Sequence, residues 1–370
     1  MTRIHDIAVL GSNPAAYAAA YFLARKKCNV VVVAAPSAPV ECPLIDWIPK
    51  ELLRLPQLPK GLITKAKTTA FKTVVYHSNK LDKRADMVSR GVAGYFVRAA
   101  DLAQALRREA HKAGASSVIL KERPSLELAE DHVTVVNAPV AARLLINVNS
   151  NPTDALAALS QPGRTAPQSS LTVVALDVPV GRKGGGPLKP GVMHVVEQPE
   201  RSELGMFYQA GTTVHMRIIS TSKASGNRAI ELSTMVRSLQ AAGLINALAL
   251  NKAKGAVWYP PAGAALEMET HVAKRCLLAG TAGGFADSIT GQTLAPTIQS
   301  ALLACQAALD ALKTPKTQEA LMHFKTSWRQ HLANSLRPPS TSLQMLLPLL
   351  FVNKRILPKF TRTLLRGESI

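Results

Sequence analysis

Two stretches of this 370-residue chain have the residue types and spacing to grip an anion. The first, Gly11-Ser12-Asn13-Pro14-Ala15-Ala16, follows a short apolar run from Asp6 to Leu10 and opens an alanine-rich helical stretch from Ala15 to Lys26. Such a turn binds nucleotide when glycines let the backbone bend sharply and approach a pyrophosphate at the helix N-terminus. Gly11 supplies the first glycine, Asn13 stands at the second position and Ala16 at the third. Asn tolerates left-handed dihedrals, but its side chain takes space that a phosphate needs. The turn therefore reads either as a nucleotide contact or as a structural corner.

The second stretch lies far downstream, from Gly280-Thr281-Ala282-Gly283-Gly284 through Asp287 to Thr290-Gly291-Gln292-Thr293. An apolar strand at Cys276 to Ala279 runs into it, and a long helix with small residues at Ala301, Ala304 and Ala307 leaves it. A loop of this composition presents backbone N–H groups and a helix N-terminus to an anionic ligand and leaves room for a flat ring. The alternative is a glycine-rich loop that only tightens a strand-to-helix junction.

The elements that must position these stretches follow from periodicity. Val30 to Val33 is a second β-branched run, so strand, turn, helix and strand form a βαβ unit of nucleotide-binding type. The acidic residue expected about 20 residues after the turn, to hold a ribose, is replaced by Ala34-Ala35, and Glu41 lies too far along for that role. Residues 35–83 hold several prolines and many lysines without a clean period and read as surface loops with short helical pieces. Leu102, Leu106, Ala110 and Ala113 lie at helical spacing before Gly114, and strands are expected at 118–121, 132–136 and 144–148. After a Pro-, Ser- and Ala-rich link at 149–170, strands at 171–180, 192–196, 205–208 and 214–220 and a helix at 228–242 predict a second sheet. Helices at 293–312 and 317–336 complete the body.

On these residues the chain resembles the superfamily of geranylgeranyl reductases, para-hydroxybenzoate hydroxylase-type monooxygenases and tryptophan halogenases. The family's second flavin motif is Gly-Asp-Ala-Ala-Gly, a loop and Thr-Gly-Glu-Gly. Gly280, Ala282, Gly284, Thr290 and Gly291 match it; Thr281 stands where the ribityl-binding Asp belongs, and Gln292 and Thr293 replace Glu-Gly. The segment Gly94-Tyr95-Phe96-Val97-Arg98 is similar to the stretch in which an Asp-Arg pair precedes a helix, with Arg98 at the Asp and Ala99 at the Arg. Arg98 then either reaches the flavin after a one-residue shift or forms a surface salt bridge. The family's later Asp-Gly is Asn147-Val148-Asn149 here. Trp258-Tyr259-Pro260-Pro261-Ala262-Gly263 resembles the stretch lining the substrate side of the flavin, with Trp258, Pro261 and Gly263 as its contacts.

The resemblance implies an α/β fold: a Rossmann-type FAD-binding domain from 1–150 and 270–315, an inserted mixed β-sheet substrate layer at 151–269 and a C-terminal helical, basic amphipathic tail at 316–370. It implies FAD held by Gly11, Ser12, Asn13, Ala16, Arg98, Gly280, Thr281, Ala282, Gly283, Gly284, Thr290 and Gly291, and an oxidoreductase acting on a hydrophobic, isoprenoid or lipid-like substrate. Five departures (Asn13, Ala34 or Ala35, Ala99, Asn149 and Thr281) converge on that one cofactor. They open a second expectation, a cofactor-free descendant that binds a lipid or a partner protein without redox chemistry.

Other residues carry less. Glu267 and His271 fall at i and i+4 as an acid/base pair only if their segment is helical, and a strand leading into Cys276 is the more natural reading; Lys183-Gly184-Gly185-Gly186 is either an anion cradle or a hairpin loop, and no histidine spacing suits a metal. Cys28, Cys42, Cys276 and Cys305 form no C-x-x-C pair and suit a reduced, cytoplasmic protein. The net charge of +20 calls for an anionic partner, but 5% aromatics without basic interleaving speak against nucleic acid. The tail fits better. Met345-Leu346-Leu347-Pro348-Leu349-Leu350-Phe351 precedes Lys354, Arg355, Lys359, Arg362 and Arg366, with Ile356, Leu357, Phe360, Leu364 and Leu365 between them. That pattern predicts either an element lying on the inner face of an anionic membrane or a tail packed on the body; family members acting on isoprenoid lipids often end in a comparable segment.

Overall fold

The computed structural model describes residues 4–34, 41–150, 152–159, 171–180, 186–198, 203–221, 228–246, 248–338, 341 and 343–368. Ala35, residues 160–170 of the link and all but Gly186 of the 183–186 loop lie outside the described residues. In chain order, β1 (Ile4–Leu10) leads through the Gly11 turn to α1 (Pro14–Arg25) and β2 (Val30–Ala34). Short elements follow: β3 (Ile45–Pro49), α2 (Leu62–Lys65), β4 (Thr69–Phe71), β5 (Thr73–His77), β6 (Arg84–Val88) and β7 (Gly94–Arg98). Then come α3 (Ala99–Lys112), β8 (Ser116–Ile119), β9 (Leu126–Leu128), β10 (Val133–Val135), β11 (Val140–Asn147) and α4 (Pro152–Ala158). The middle third holds β12 (Thr172–Pro179), β13 (Val192–Glu197), β14 (Glu203–Ala210), β15 (Thr213–Ser220), α5 (Arg228–Ala241) and β16 (Lys254–Trp258). The chain closes with α6 (Ala264–Glu267), β17 (Val272–Ala273), β18 (Cys276–Leu278), α7 (Leu294–Ala311), α8 (Thr317–Leu336), α9 (Leu343–Leu346) and α10 (Ile356–Arg366).

Among the described residues, eight strands form a sheet with the order β17-β18-β11-β1-β2-β8, extended by β10 and β9 beside β11. Its centre, from β18 to β8, is parallel. Parallel strands covered on both faces are apolar throughout, which is why Val30 to Val33 are all buried. On one face α1 packs against α3 and α7. The small residues Ala15, Ala16, Ala18, Ala19 and Ala20 of α1 and Ala301, Ala304 and Ala308 of α7 are fully buried and let these helices approach closely.

The second sheet has seven described strands in the order β16-β12-β15-β14-β13-β5-β6. One face packs on α5; the other faces the first domain, and β3, β7 and β4 form a small sheet of their own. The segment from 35 to 83 thus differs from the loop expectation. Ile45-Asp46-Trp47-Ile48 is buried on both faces, so it shows no alternation, and β5 is short enough to hide among lysines and prolines. β5 and β6 join the middle sheet, β5 running parallel to β13. The covering layer is therefore built from residues on both sides of position 150.

The tail lies on this second sheet. Leu357, Phe360 and Leu364 of α10 are buried in its core, and Tyr76 and Thr361 share a 2.8 Å hydroxyl hydrogen bond. The apolar face of α10 is spent on the body, at roughly 1.5–3 kcal/mol for each fully buried large side chain, and is not free for lipid. What remains outside is the preceding turn, where Met345, Leu349 and Val352 are 64, 41 and 76% exposed.

Candidate functional site

β1, β11 and β18 lie side by side and end at the same edge, so the sheet itself brings the two glycine stretches together. Gly11 leaves β1 at φ +147°, and a Cβ there would stand 2.6 Å from Cβ of Asn149. Asn13 caps α1, its Oδ1 accepting from the Ala16 N–H at 2.8 Å. Its amide nitrogen donates to the Val148 carbonyl and to Oδ1 of Asn149, each at 3.2 Å, and to the Glu41 carboxyl. From the other side, the Thr281 hydroxyl donates to the same Val148 carbonyl at 3.4 Å and lies close enough to the Glu41 carboxyl to act on its charge. Val148 and Glu41 are the points where the two motifs meet.

The downstream loop is packed on its own chain throughout. Gly280, Gly284 and Gly291 have φ of +55°, +76° and +66°. Added Cβ atoms would meet the Val148 carbonyl oxygen at 2.4 Å, the Ala265 nitrogen at 2.5 Å and Pro260 at 2.6 Å respectively. Thr281 and Ala282 are fully buried, as are Gly283 and Gly284. Beneath them, Nε2 of His271 donates to the Gly283 carbonyl at 2.9 Å. Burial among Phe285, Phe324 and Trp328 lowers the His271 pKa to about 4, so the ring is neutral near pH 7 and props the loop. Glu267 closes the four-residue α6 on the exposed side. Asp287 then holds the turn: its Oδ1 accepts from the N–H of Ile289 and Thr290 and from the Thr290 hydroxyl, at 3.0, 2.6 and 2.7 Å. Burial raises its pKa to about 6.

Across the interface, the space beneath the second sheet is filled by a charged network. Arg217 on β15 is fully buried and lies 3.1 Å from Asp46, donates to the Ile45 carbonyl at 2.7 Å and to the Tyr208 hydroxyl at 3.1 Å, and stacks between Trp47 and Trp258. Its Nε–H donates to Nε2 of His215 at 2.8 Å, and Nδ1 of His215 donates to Asp177 at 2.6 Å. Burial, reinforced by Arg217, lowers the His215 pKa to about 4, so this relay is neutral at the imidazole. Arg98 stands at the N-cap position of α3, and its guanidinium lies 3.8 Å from the buried Asp177 carboxyl. Trp258 is likewise buried under Arg217, Pro261 is buried, and Gly263 begins α6 at φ +72°.

Two openings flank the joined motifs. Ser12 lines an open groove of about 540 Å³ with Ala34, Ala100, Ala103, Arg107 and Leu120. Thr290 and Gln292 line a cavity of about 250 Å³ with Trp47, Asp287 and His331, at whose rim Arg366 pairs with Glu51 at 2.9 Å. Sequence reasoning missed Glu41, Asp46, Asp177, His215, Arg217 and Asp287. The signal for three of them was present: Asp177, His215 and Arg217 interrupt strands that are otherwise apolar on both faces.

The fold is Rossmann-type α/β and is similar to that of several solved flavin-dependent proteins. A geranylgeranyl bacteriochlorophyll reductase-like protein from Thermoplasma acidophilum superposes with a TM-score of 0.67 at 15% identity, covering 90% of this chain and 85% of its own. A triple mutant of the flavin-dependent brominase Bmp2 gives 0.69 at 12% identity over 98 and 94% of the two chains. A point variant of halogenase PltM in complex with FAD gives 0.65 at 16% identity over 90 and 75%. No family model and no curated protein matches the sequence. At these identities the likeness fixes the fold.

Whether FAD fits is decided by the donors. The cofactor is elongated and its pyrophosphate is anionic, so it needs the Gly11 turn and the Gly280 loop to offer free N–H and O–H groups. Here the Asn13 amide donates to the carboxyl of Glu41 and the Thr281 hydroxyl to the Val148 carbonyl, Ala34 offers a ribose no acceptor, and the loop beyond Thr281 is covered by the chain itself. As arranged, the Asn13 and Thr281 side chains and Ala34 do not offer FAD the contacts that the sequence resemblance assigns to those positions.

Proposed function

We propose that this chain keeps the flavoprotein scaffold for binding and carries no redox chemistry: it holds a hydrophobic small molecule or lipid and docks on an anionic membrane surface. The observation that carries the reading is that the two side-chain donors of the glycine motifs, the Asn13 amide and the Thr281 hydroxyl, are engaged within the chain. The purified protein is expected to be colourless in the visible range and to leave the fluorescence of added FAD unquenched. Flavin absorbance, or uptake of FAD on titration, would overturn the reading.

Two surfaces support the ligand classes. An open groove of about 390 Å³ between α5 and the strands β12 and β16 is lined by Val174, Leu176, Leu232, Val236, Leu250 and Val257, a nearly all-aliphatic wall suited to an acyl or isoprenoid chain. Met345, Leu349 and Val352 stand exposed just before Lys354 and Arg355. Apolar side chains beside cations are what an anionic interface selects, each cation adding about 1 kcal/mol near the surface. No described helix is long and apolar enough to cross a membrane. Deleting the tail is the wrong test, because Leu357 and Phe360 belong to the core. Replacing Met345, Leu349 and Val352 together with Ser is expected to abolish co-sedimentation with phosphatidylserine-containing liposomes while leaving the melting temperature unchanged; undiminished sedimentation removes the turn from the account.

The second reading is an FAD-dependent oxidoreductase acting on a hydrophobic, isoprenoid-like substrate. It is favoured by the Gly280 to Gly291 loop, in which Gly280, Gly284 and Gly291 keep positive φ and which leads into the N-terminus of the 18-residue α7. The FAD titration separates the two readings.

A further inference from the structure

The half-buried Glu41 ties together two motifs that, by their backbone chemistry, receive an anion from outside. Four observations define its seat. The Asn13 amide donates to the Glu41 carboxyl from the N-cap of the 12-residue α1. The Thr281 hydroxyl reaches it from the downstream loop. Asn149 and the Val148 carbonyl hold the Asn13 amide in place from β11's end. Asn13 is 7% exposed and Thr281 fully buried, and both also donate to the Val148 carbonyl, so the carboxyl adds an acceptor to a junction that the chain already ties at Val148.

We infer that Glu41 is an internal ligand, a carboxyl of the chain itself seated where the two glycine motifs converge and clasping them together as a bound oxyanion would. The inference rests on the binding reading above and deepens it: the scaffold supplies its own substitute for the anion, so the βαβ unit and the downstream loop stay joined with nothing bound.

Chemical rescue tests it. In Glu41→Ala the Asn13 amide and the Thr281 hydroxyl face a small void, and the melting temperature is expected to fall by about 3 °C or more. Added sodium acetate or inorganic phosphate, compared with sodium chloride at equal ionic strength, is expected to restore part of that loss in the variant and none in the wild type. Rescue by acetate alone marks a seat of carboxylate size, and rescue by phosphate marks a larger one; both support the inference. An unchanged melting temperature, or the same response to all three salts in both proteins, overturns it.

Should Glu41→Ala fail to fold in every salt, Glu41→Gln decides. Burial pushes the Glu41 carboxyl up to about 7 against the opposing pull of Asn13 and Thr281, with no charged group among the causes. A carboxyl raised in the folded state contributes stability that is fully present below its unfolded pKa of 4.5 and is lost as pH rises through about 7. The wild-type melting temperature should therefore fall relative to Glu41→Gln between those values; the clasp itself is decided by Glu41→Gln, whose carbonyl oxygen still accepts from Asn13, melting above Glu41→Leu, which fills the space without an acceptor, and equal melting of the two overturns it. FAD uptake by the wild type would sink the binding proposal, whereas absent rescue sinks only the clasp.

Discussion

Truncating Arg217 to alanine is expected to destabilise the protein by about 3–5 kcal/mol in urea melts, the largest loss from any single side chain of the second sheet. Both Arg217 and Asp46 are fully buried, and the guanidinium answers the Ile45 carbonyl, the Tyr208 hydroxyl and His215 at once. Removing it leaves the Asp46 carboxylate without its countercharge in a medium that cannot solvate it, and strands the relay to Asp177. Burial opposes charge on Arg217, yet Asp46, Tyr208 and Cys42 around it hold its pKa above the ordinary value, so the side chain does not escape by deprotonating. Arg217→Lys should recover little, because an ammonium cannot span that fork of acceptors. The double variant Arg217→Met with Asp46→Leu should recover at least half the loss, since an apolar pair of similar volume leaves no buried charge. If Arg217→Ala costs under about 1 kcal/mol, the space beneath the sheet is wetter than described and open to a ligand.

That network also marks where the sequence stops being readable. The βαβ unit is legible because Val30 to Val33 can only be a strand buried on both faces and Asn13-Pro14 can only begin a helix; α8 falls on the expected residues 317–336. The strands of the middle sheet are legible for the same reason. By contrast, β3 carries Asp46 between buried Ile45 and Trp47 and looks like neither a strand nor a site until Arg217 arrives from 171 residues away. Glu41 was discounted by its distance along the chain from the ribose position, a one-dimensional criterion. The contact that matters is with Asn13 and Thr281, and no local period encodes it. The tail was legible as amphipathic, but amphipathy does not say which surface is met. Tyr76 and the core around Phe360 supply a protein surface, and only the exposed turn before α10 is left for anything else.

The glycines of the downstream loop allow a sharper separation of fold from ligand. Gly280→Ala is expected to cost about 2–5 kcal/mol in the protein as purified, read by thermal or urea melts with no cofactor added. Two effects add: φ of +55° is strained for an L side chain, and the new Cβ would lie 2.4 Å from the Val148 carbonyl oxygen, a backbone atom that cannot swing aside. Gly211→Ala is the control. It has nearly the same φ, +57°, but nothing within 4 Å of the added carbon, so it should cost only the conformational part, about 1–2 kcal/mol. The excess at Gly280 measures chain packed on chain. A glycine retained to admit a cofactor would leave the cofactor-free protein no less stable than the Gly211 variant when replaced. An excess of more than about 1 kcal/mol means that the motif persists because β11, β18 and α7 close on one another through it, which is reason enough for the loop to outlast a ligand.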